Sequence, residues 1–108
     1  MDELHRETDV KVAIQLLHMG RNAFSFLSGM TPMAPSAIPS KLTRETPREM
    51  TPEDMAEVQE AYALAARRTV AAGFDFVEVL ACTGYLISQF LSPAEVREIL
   101  GLRSALPQ

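Results

Sequence analysis

Apolar positions along this chain fall into two kinds of pattern, separated by a stretch that follows neither. Residues 10–18, "VKVAIQLLH", form a nearly continuous, β-branched apolar run, which predicts a strand covered on both faces. Residues 74–81, "FDFVEVLA", repeat the pattern and predict a second buried strand. Between them Met55, Val58, Tyr62, Ala65 and Thr69 recur at three- and four-residue steps, the stripe of an amphipathic helix. Thr51 as N-cap, Pro52 at the first helical position and Asp54 three residues after the cap mark where it opens. Acidic residues crowd its first turns, Arg67 and Arg68 sit late, and Gly73 closes it. "MDELHRETD" is polar and fits a short helical turn or the tail end of a longer helix, and "GYLISQFL" (84–91) predicts a short helix after the second strand. In "SPAEVREILGL", Ser92 as cap, Pro93 behind it and Glu95 completing the box predict one more helix in a C-terminal segment, 94–108.

From Gly20 to Met50 no period is sustained, and Pro32, Pro35, Pro39 and Pro47 each hold their predecessor extended. The connection far exceeds the roughly 2–6 residues usual between strand and helix, and loops of that length are as a rule functional or disordered. Strand, long connection, helix, strand is a βαβ unit. Two strands that both read as buried imply parallel pairing with a right-handed crossover. Two such strands and one full helix cannot cover both faces of a sheet, and both edges stay open. The pattern is that of a slice of a larger α/β protein.

Composition narrows the class. The chain has 108 residues and 11.9 kDa, one domain at most, and its 47% apolar content allows a modest core. With a net charge of −4, a pI near 5.1 and no stripe of Lys or Arg, nucleic acid and anionic membrane are poor partners. A single cysteine, Cys82, forms no internal disulfide and offers no paired metal ligands, which suits a reducing cytoplasm. The N-terminus has no apolar signal core, and no run approaches the roughly 18 apolar residues of a membrane span.

Five segments carry a resemblance. "QLLHMGR" (15–21), "APSAI" (34–38), "TPREMT" (46–51), "AARRTVAAGFDFVEV" (65–79) and "GYLISQFLSP" (84–93) resemble, in order and spacing, consecutive signatures of the Old Yellow Enzyme family. These are FMN-dependent NAD(P)H:flavin oxidoreductases built on a (β/α)8 TIM barrel, and the likeness covers residues 8–93. It implies that the two strands are the third and fourth of eight, parallel but not a closed barrel, with the long loop on the catalytic face. Barrel chemistry sits at the carboxyl ends of the strands. The implied division is a partial oxidoreductase domain over 1–93 and a divergent helix and tail over 94–108.

By the same resemblance, Gln15 matches the glutamine that hydrogen-bonds the pyrimidine edge of the flavin, where an amide both donates and accepts. Read from the residues alone, Gln15 is a polar group satisfied inside the barrel. Tyr85 matches the tyrosine that protonates the substrate carbon opposite hydride delivery; without the resemblance it reads as a core aromatic. A phenol suits a strongly basic developing carbanion. Where many members carry His-x-x-His or His-x-x-Asn before "GYL", this chain has Leu80 and Thr83, so the usual donor pair for the activating oxygen is missing. The dienoyl-CoA reductase and 2-enoate reductase branch lacks that pair too, and "ACTGYLISQFLSP" is similar to it. Thr83 keeps a hydroxyl that either touches substrate or serves the turn. The implied substrate is an activated alkene of enoyl or dienoyl type, reduced through FMN with NADH or NADPH.

The other candidates read as structural. His18 follows a strand and reads as a satisfied imidazole, and Cys82 as a small buried residue. Glu78, in a strand expected to be covered, calls for a partner such as Lys11 or Arg21. Gly84 permits the sharp strand-to-helix turn. A TIM barrel typically needs about 250 residues, and the resemblance implies that the first strand and the later phosphate site of such a barrel lie outside this sequence. Two function classes remain. One is a partial FMN-dependent ene-reductase. The other is a non-catalytic barrel fragment that needs a complementary chain or self-association, with an unfolded, pseudogene-like remnant as its limit.

Overall fold

The parallel pairing that the apolar runs imply is present. In a computed structural model that describes residues 1–93, Ala13–Leu16 (β1) pairs in parallel with Phe76–Val79 (β4), in the register Ala13↔Phe76, Ile14↔Val77, Gln15↔Glu78 and Leu16↔Val79. The helix expected over 94–108 lies outside the described residues. In chain order the elements are α1 (Asp2–Glu7), β1, a 3-10 turn (Gly20–Asn22), α2 (Ser25–Ser28), β2 (Met33–Ala34), β3 (Arg48–Glu49), α3 (Pro52–Ala71), β4 and α4 (Leu86–Phe90). The described residues fall into two units: Met1–Leu16 with Pro52–Leu80, and Leu17–Thr51 with residues 81–93. No helix among the described residues is long and apolar enough to cross a membrane.

In the first unit the strands are shorter than the apolar runs. The ladder begins where the Asp75 carboxylate accepts from the Val12 N–H at 2.9 Å, a side chain taking the place of a strand neighbour. His5 Nε2 lies 2.8 Å from the same carboxylate and Lys11 Nζ 3.9 Å from its other oxygen, tying the end of α1 to the start of both strands. The Val12 hydrogen bond, and then His5 and Lys11, hold the Asp75 carboxyl below its ordinary range despite some desolvation. At the far end the Leu80 N–H donates to the Leu16 carbonyl at 2.9 Å.

The sequence predicts strands covered on both faces, and among the described residues only one face is covered. Val12, Ile14, Leu16 and Val77 are half-buried, and α3 packs against β1. Ala13, Gln15, Phe76 and Glu78 occupy the other face and are exposed, Phe76 by 59%. A two-stranded sheet with one helix has one face to spare, and here that face carries Gln15. α3 behaves as its stripe predicts: Met55, Val58, Tyr62 and Ala65 are half-buried and Thr69 is buried, its hydroxyl donating to the Ala65 carbonyl at 2.8 Å. The helix ends as Gly73, at φ +88°, turns the chain and Phe74 N–H returns to the Thr69 carbonyl.

The second unit gives the proline-rich loop a structure that periodicity could not signal. β2 and β3 form a two-residue parallel pair, flanked by Arg48 N–H to Pro32 O (2.8 Å) and Met50 N–H to Ala34 O (2.9 Å). The Ser40 hydroxyl oxygen accepts from the N–H groups of Leu42 and Thr43, and the Glu45 carboxylate accepts from Ser25 N–H at the start of α2. Its hydrogen bonds to Ser25 hold the Glu45 carboxyl below its ordinary range. The buried residues are small or polar as often as apolar: Ala34, Ser36, Ser40, Met50, Leu86 and Gln89. Hydrogen bonds replace apolar bulk in this core, which is why no hydrophobic period marks it.

Candidate active site

The residues singled out by the sequence at the end of β4 lie on a tight turn into α4. Thr83 has φ +62° and Gly84 φ +77°, two left-handed residues in succession. Glycine takes that conformation freely, and the space beside Gly84 is open, so the sign of φ and not crowding requires it. For β-branched Thr83 the conformation is strained, of the kind that gathers at functional sites. Its hydroxyl donates to the carbonyl of Cys82 at 2.7 Å, a bond inside the turn.

Tyr85 comes next, as the N-cap residue of α4, in extended backbone conformation. Its carbonyl accepts from Gln89 N–H at 2.8 Å, and the N–H of Leu86 donates to the His18 carbonyl at 2.9 Å. The Tyr85 side chain is half-buried, and its phenol has no hydrogen-bond partner among the described residues. Thr83 is exposed beside it. Cys82 is exposed as well, contrary to the burial expected for it, because it stands beyond the last ladder bond where no element among the described residues covers it.

The side chain that organises this region is not among those the sequence singles out. Gln89 is 1% exposed, and both ends of its amide are engaged. Oε1 accepts from the Arg21 N–H at 3.1 Å, while Nε2 donates to the carbonyls of Gly84 at 2.8 Å and Met19 at 3.3 Å. The Gly84 carbonyl receives a second bond, from Asn22 Nδ2 at 3.2 Å, and Ser40 Oγ donates to Asn22 Oδ1 at 2.7 Å. Gly20, at φ +59°, leaves no room for a Cβ, which would fall on the Gln89 amide. A signal was available: Gln89 stands three residues after Leu86 on a short helix, a polar group on the face that leucine buries.

His18 is structural here. Its Nδ1 accepts from Gly20 N–H at 3.0 Å, which places the ring proton on Nε2, and burial lowers its pKa, so the ring is neutral near pH 7. It lines a hollow of about 230 Å³ together with Leu17, Met19, Met30, Pro32 and Met33.

Gln15 belongs to the other unit. It is the penultimate residue of β1, on the exposed face, level with Glu78, and its amide has no partner among the described residues. The ion pair expected for Glu78 is not formed among the described residues. Glu78 is exposed and so needs no partner, and Lys11 approaches Asp75 instead. Thr83 and Tyr85 are thus brought onto one turn, and Gln15 is presented on the open strand face of the first unit.

A family model described as "NADH:flavin oxidoreductase / NADH oxidase family" matches residues 1–97. Among curated proteins, the chain is 57% identical over 83 residues to a metal reductase of Desulforamulus reducens, covering 77% of this chain and 12% of that protein. It is 45% identical over 94 residues to an NADPH dehydrogenase of a Geobacillus species, covering 87% of this chain and 27% of the relative. The chain therefore spans about a quarter or less of these relatives. Among solved structures it superimposes on an old yellow enzyme homologue from Zymomonas mobilis with a TM-score of 0.76 and 32% identity, covering 83% of this chain and 28% of that one. A 2-naphthoyl-CoA reductase in complex with 2-naphthoyl-CoA gives a TM-score of 0.68 at 32% identity, covering 85% and 19%. With the parallel β1–β4 pair and α3, these likenesses identify the fold as an open portion of a (β/α)8 barrel.

Proposed function

The chain belongs to the NADH:flavin oxidoreductase / NADH oxidase family, and from that premise we propose that it contributes a flavin-binding amide and a proton donor to an FMN-dependent reductase of activated alkenes. The observation that carries the reading is the Tyr85 phenol, half-buried and unpartnered among the described residues, on a turn of two left-handed residues. FMN, which Gln15 would help to hold, would supply the hydride-transfer chemistry between NADH or NADPH and an electron-poor C=C.

Gln15 fits the flavin. An amide with its donor and acceptor both uncommitted among the described residues, on an exposed strand face, is suited to a pyrimidine edge that presents carbonyls and an N–H. Tyr85 holds a proton at Oη and gives it to the substrate carbon as negative charge develops there. Thr83 spends its hydrogen on the Cys82 carbonyl, so toward a ligand it offers an acceptor and not a donor. Leu80 offers neither. A nitroolefin or simple enone, whose activating oxygen is held by two donors at these positions, is therefore poorly served. A carboxylate, thioester or steroid-like enoyl group is favoured. The naphthoyl-CoA complex among the structural neighbours supports the thioester class.

The test is single-turnover oxidation of the reduced, FMN-loaded protein by a 2-enoyl thioester. Tyr85→Phe should slow that step by about 10²–10⁴-fold, the usual contribution of a positioned acid, and leave reduction by NADPH unchanged. Equal rates for wild type and Tyr85→Phe would overturn the assignment.

A further inference from the structure

We propose that Gln89, acting with Asn22, is a positioning residue: together they clamp the Gly84 carbonyl and so fix the direction in which the adjoining residue, Tyr85, presents its phenol. The proposal rests on the reading of Tyr85 as proton donor and assigns a role to side chains that touch no substrate.

Three observations carry it. The turn to be held is unfavourable, with Thr83 and Gly84 both left-handed and Thr83 β-branched. The Gly84–Tyr85 peptide leads out of this turn, and its carbonyl oxygen accepts two side-chain donors, Gln89 Nε2 at 2.8 Å and Asn22 Nδ2 at 3.2 Å. A carbonyl has two lone pairs, so this one is saturated and its plane is defined from two directions.

Each clamp is itself held. Ser40 Oγ donates to Asn22 Oδ1, which turns the Asn22 nitrogen toward Gly84. Gln89 is anchored by the Arg21 N–H on its oxygen and the Met19 carbonyl on its nitrogen, and the absence of a side chain at Gly20 makes the space for its amide. A buried filler would be served by leucine, of similar size. Gln89 instead directs every polar atom at loop backbone, on the stretch after β1 and on the peptide before Tyr85.

The chain has two tyrosines, Tyr62 and Tyr85, so tyrosine-selective 13C labelling reads both rings, with Tyr85→Phe assigning them. In Gln89→Leu and in Asn22→Ala the Tyr85 ring signal should shift or broaden while Tyr62, in the other unit, stays in place. In Gln89→Glu the Tyr85 signal should be displaced at neutral pH and return toward wild type in acid, as the carboxyl regains a proton to donate to a carbonyl. Recovery of that kind distinguishes positioning from filling space. In the FMN-loaded protein, Gln89→Leu should slow oxidation by the enoyl thioester by about 10–100-fold, as expected for a misplaced group, and spare reduction by NADPH.

An unmoved Tyr85 signal in both Gln89→Leu and Asn22→Ala overturns the proposal. So does collapse of both tyrosine signals together in every variant, since the network would then be a requirement for folding alone. The two roles separate cleanly. If Tyr85→Phe keeps its rate while the ring signal still responds to Gln89, the proton-donor role fails and the positional link stands.

Discussion

Substituting Gly20 by alanine tests the loop network at the point where it has least room. Two effects act there. Gly20 sits at φ +59°, where any L side chain is strained by about 1 kcal/mol. An added Cβ would also fall on the Gln89 amide, which must move away. That displacement breaks the bonds to Arg21 N–H and Met19 O, while the Gly84 carbonyl keeps Asn22. Leaving one or two buried polar groups unpaired costs about 1–3 kcal/mol each. The expected total for Gly20→Ala is about 2–7 kcal/mol. Gly29 provides the control, since it has φ +73° with nothing near its Cβ position, so Gly29→Ala should cost only the backbone strain, about 1 kcal/mol. Urea unfolding followed by circular dichroism measures both. In the double variant Gly20→Ala/Gln89→Ala the collision is gone, and its cost should fall short of the sum of the single changes by about 1 kcal/mol or more. Equal costs for Gly20→Ala and Gly29→Ala, or strict additivity in the double variant, would refute the argument.

Two further predictions concern pH. The Asp75 carboxyl is held below its ordinary value of 3.8, chiefly by the Val12 N–H, so its contribution is full above that value and is lost as pH falls through the lower, folded-state value. Asp75→Asn should be less stable at pH 7 and show a shallower loss of stability in acid, measured by urea midpoints at pH 7 and pH 3. Burial lowers His18 from 6.5, so the unfolded chain binds the proton more readily and stability is lost as pH falls below 6.5 toward the folded-state value. His18→Gln keeps an acceptor for Gly20 N–H and should remove that part of the pH dependence between pH 7 and pH 5. An unchanged slope in the variant would contradict the neutral assignment.

The helix α3 was legible because its signals are local. Pro52 at the start, Gly73 just past the end and five stripe positions all mark one element, and the structure half-buries four of those positions and buries Thr69. Parallel pairing of β1 with β4 followed from two apolar runs joined by a helix. The covering of both strand faces did not follow, because burial depends on neighbours and the described residues supply one. Glu78 illustrates the same limit, since a carboxylate on an open face needs no partner. The order within 20–50 was illegible for a different reason. Its bonds run from side chains to distant backbone, with Gln89 meeting residues 68–70 positions earlier, and no periodicity encodes such contacts. The turn at Gly84 was readable from a glycine between a strand and a helix, whereas the left-handed Thr83 beside it was not, because β-branched residues rarely adopt that conformation.

The central claim is that this chain carries part of a flavin site, and titration of the protein with FMN, monitored by quenching of flavin fluorescence, tests it most directly. The account predicts saturable binding that Gln15→Leu weakens by about 5–10-fold, the worth of a hydrogen-bonded amide edge at about 1–1.5 kcal/mol, while Gln15→Glu, which loses the donor, weakens it comparably. No quenching, or identical titration curves for wild type and Gln15→Leu, would contradict it.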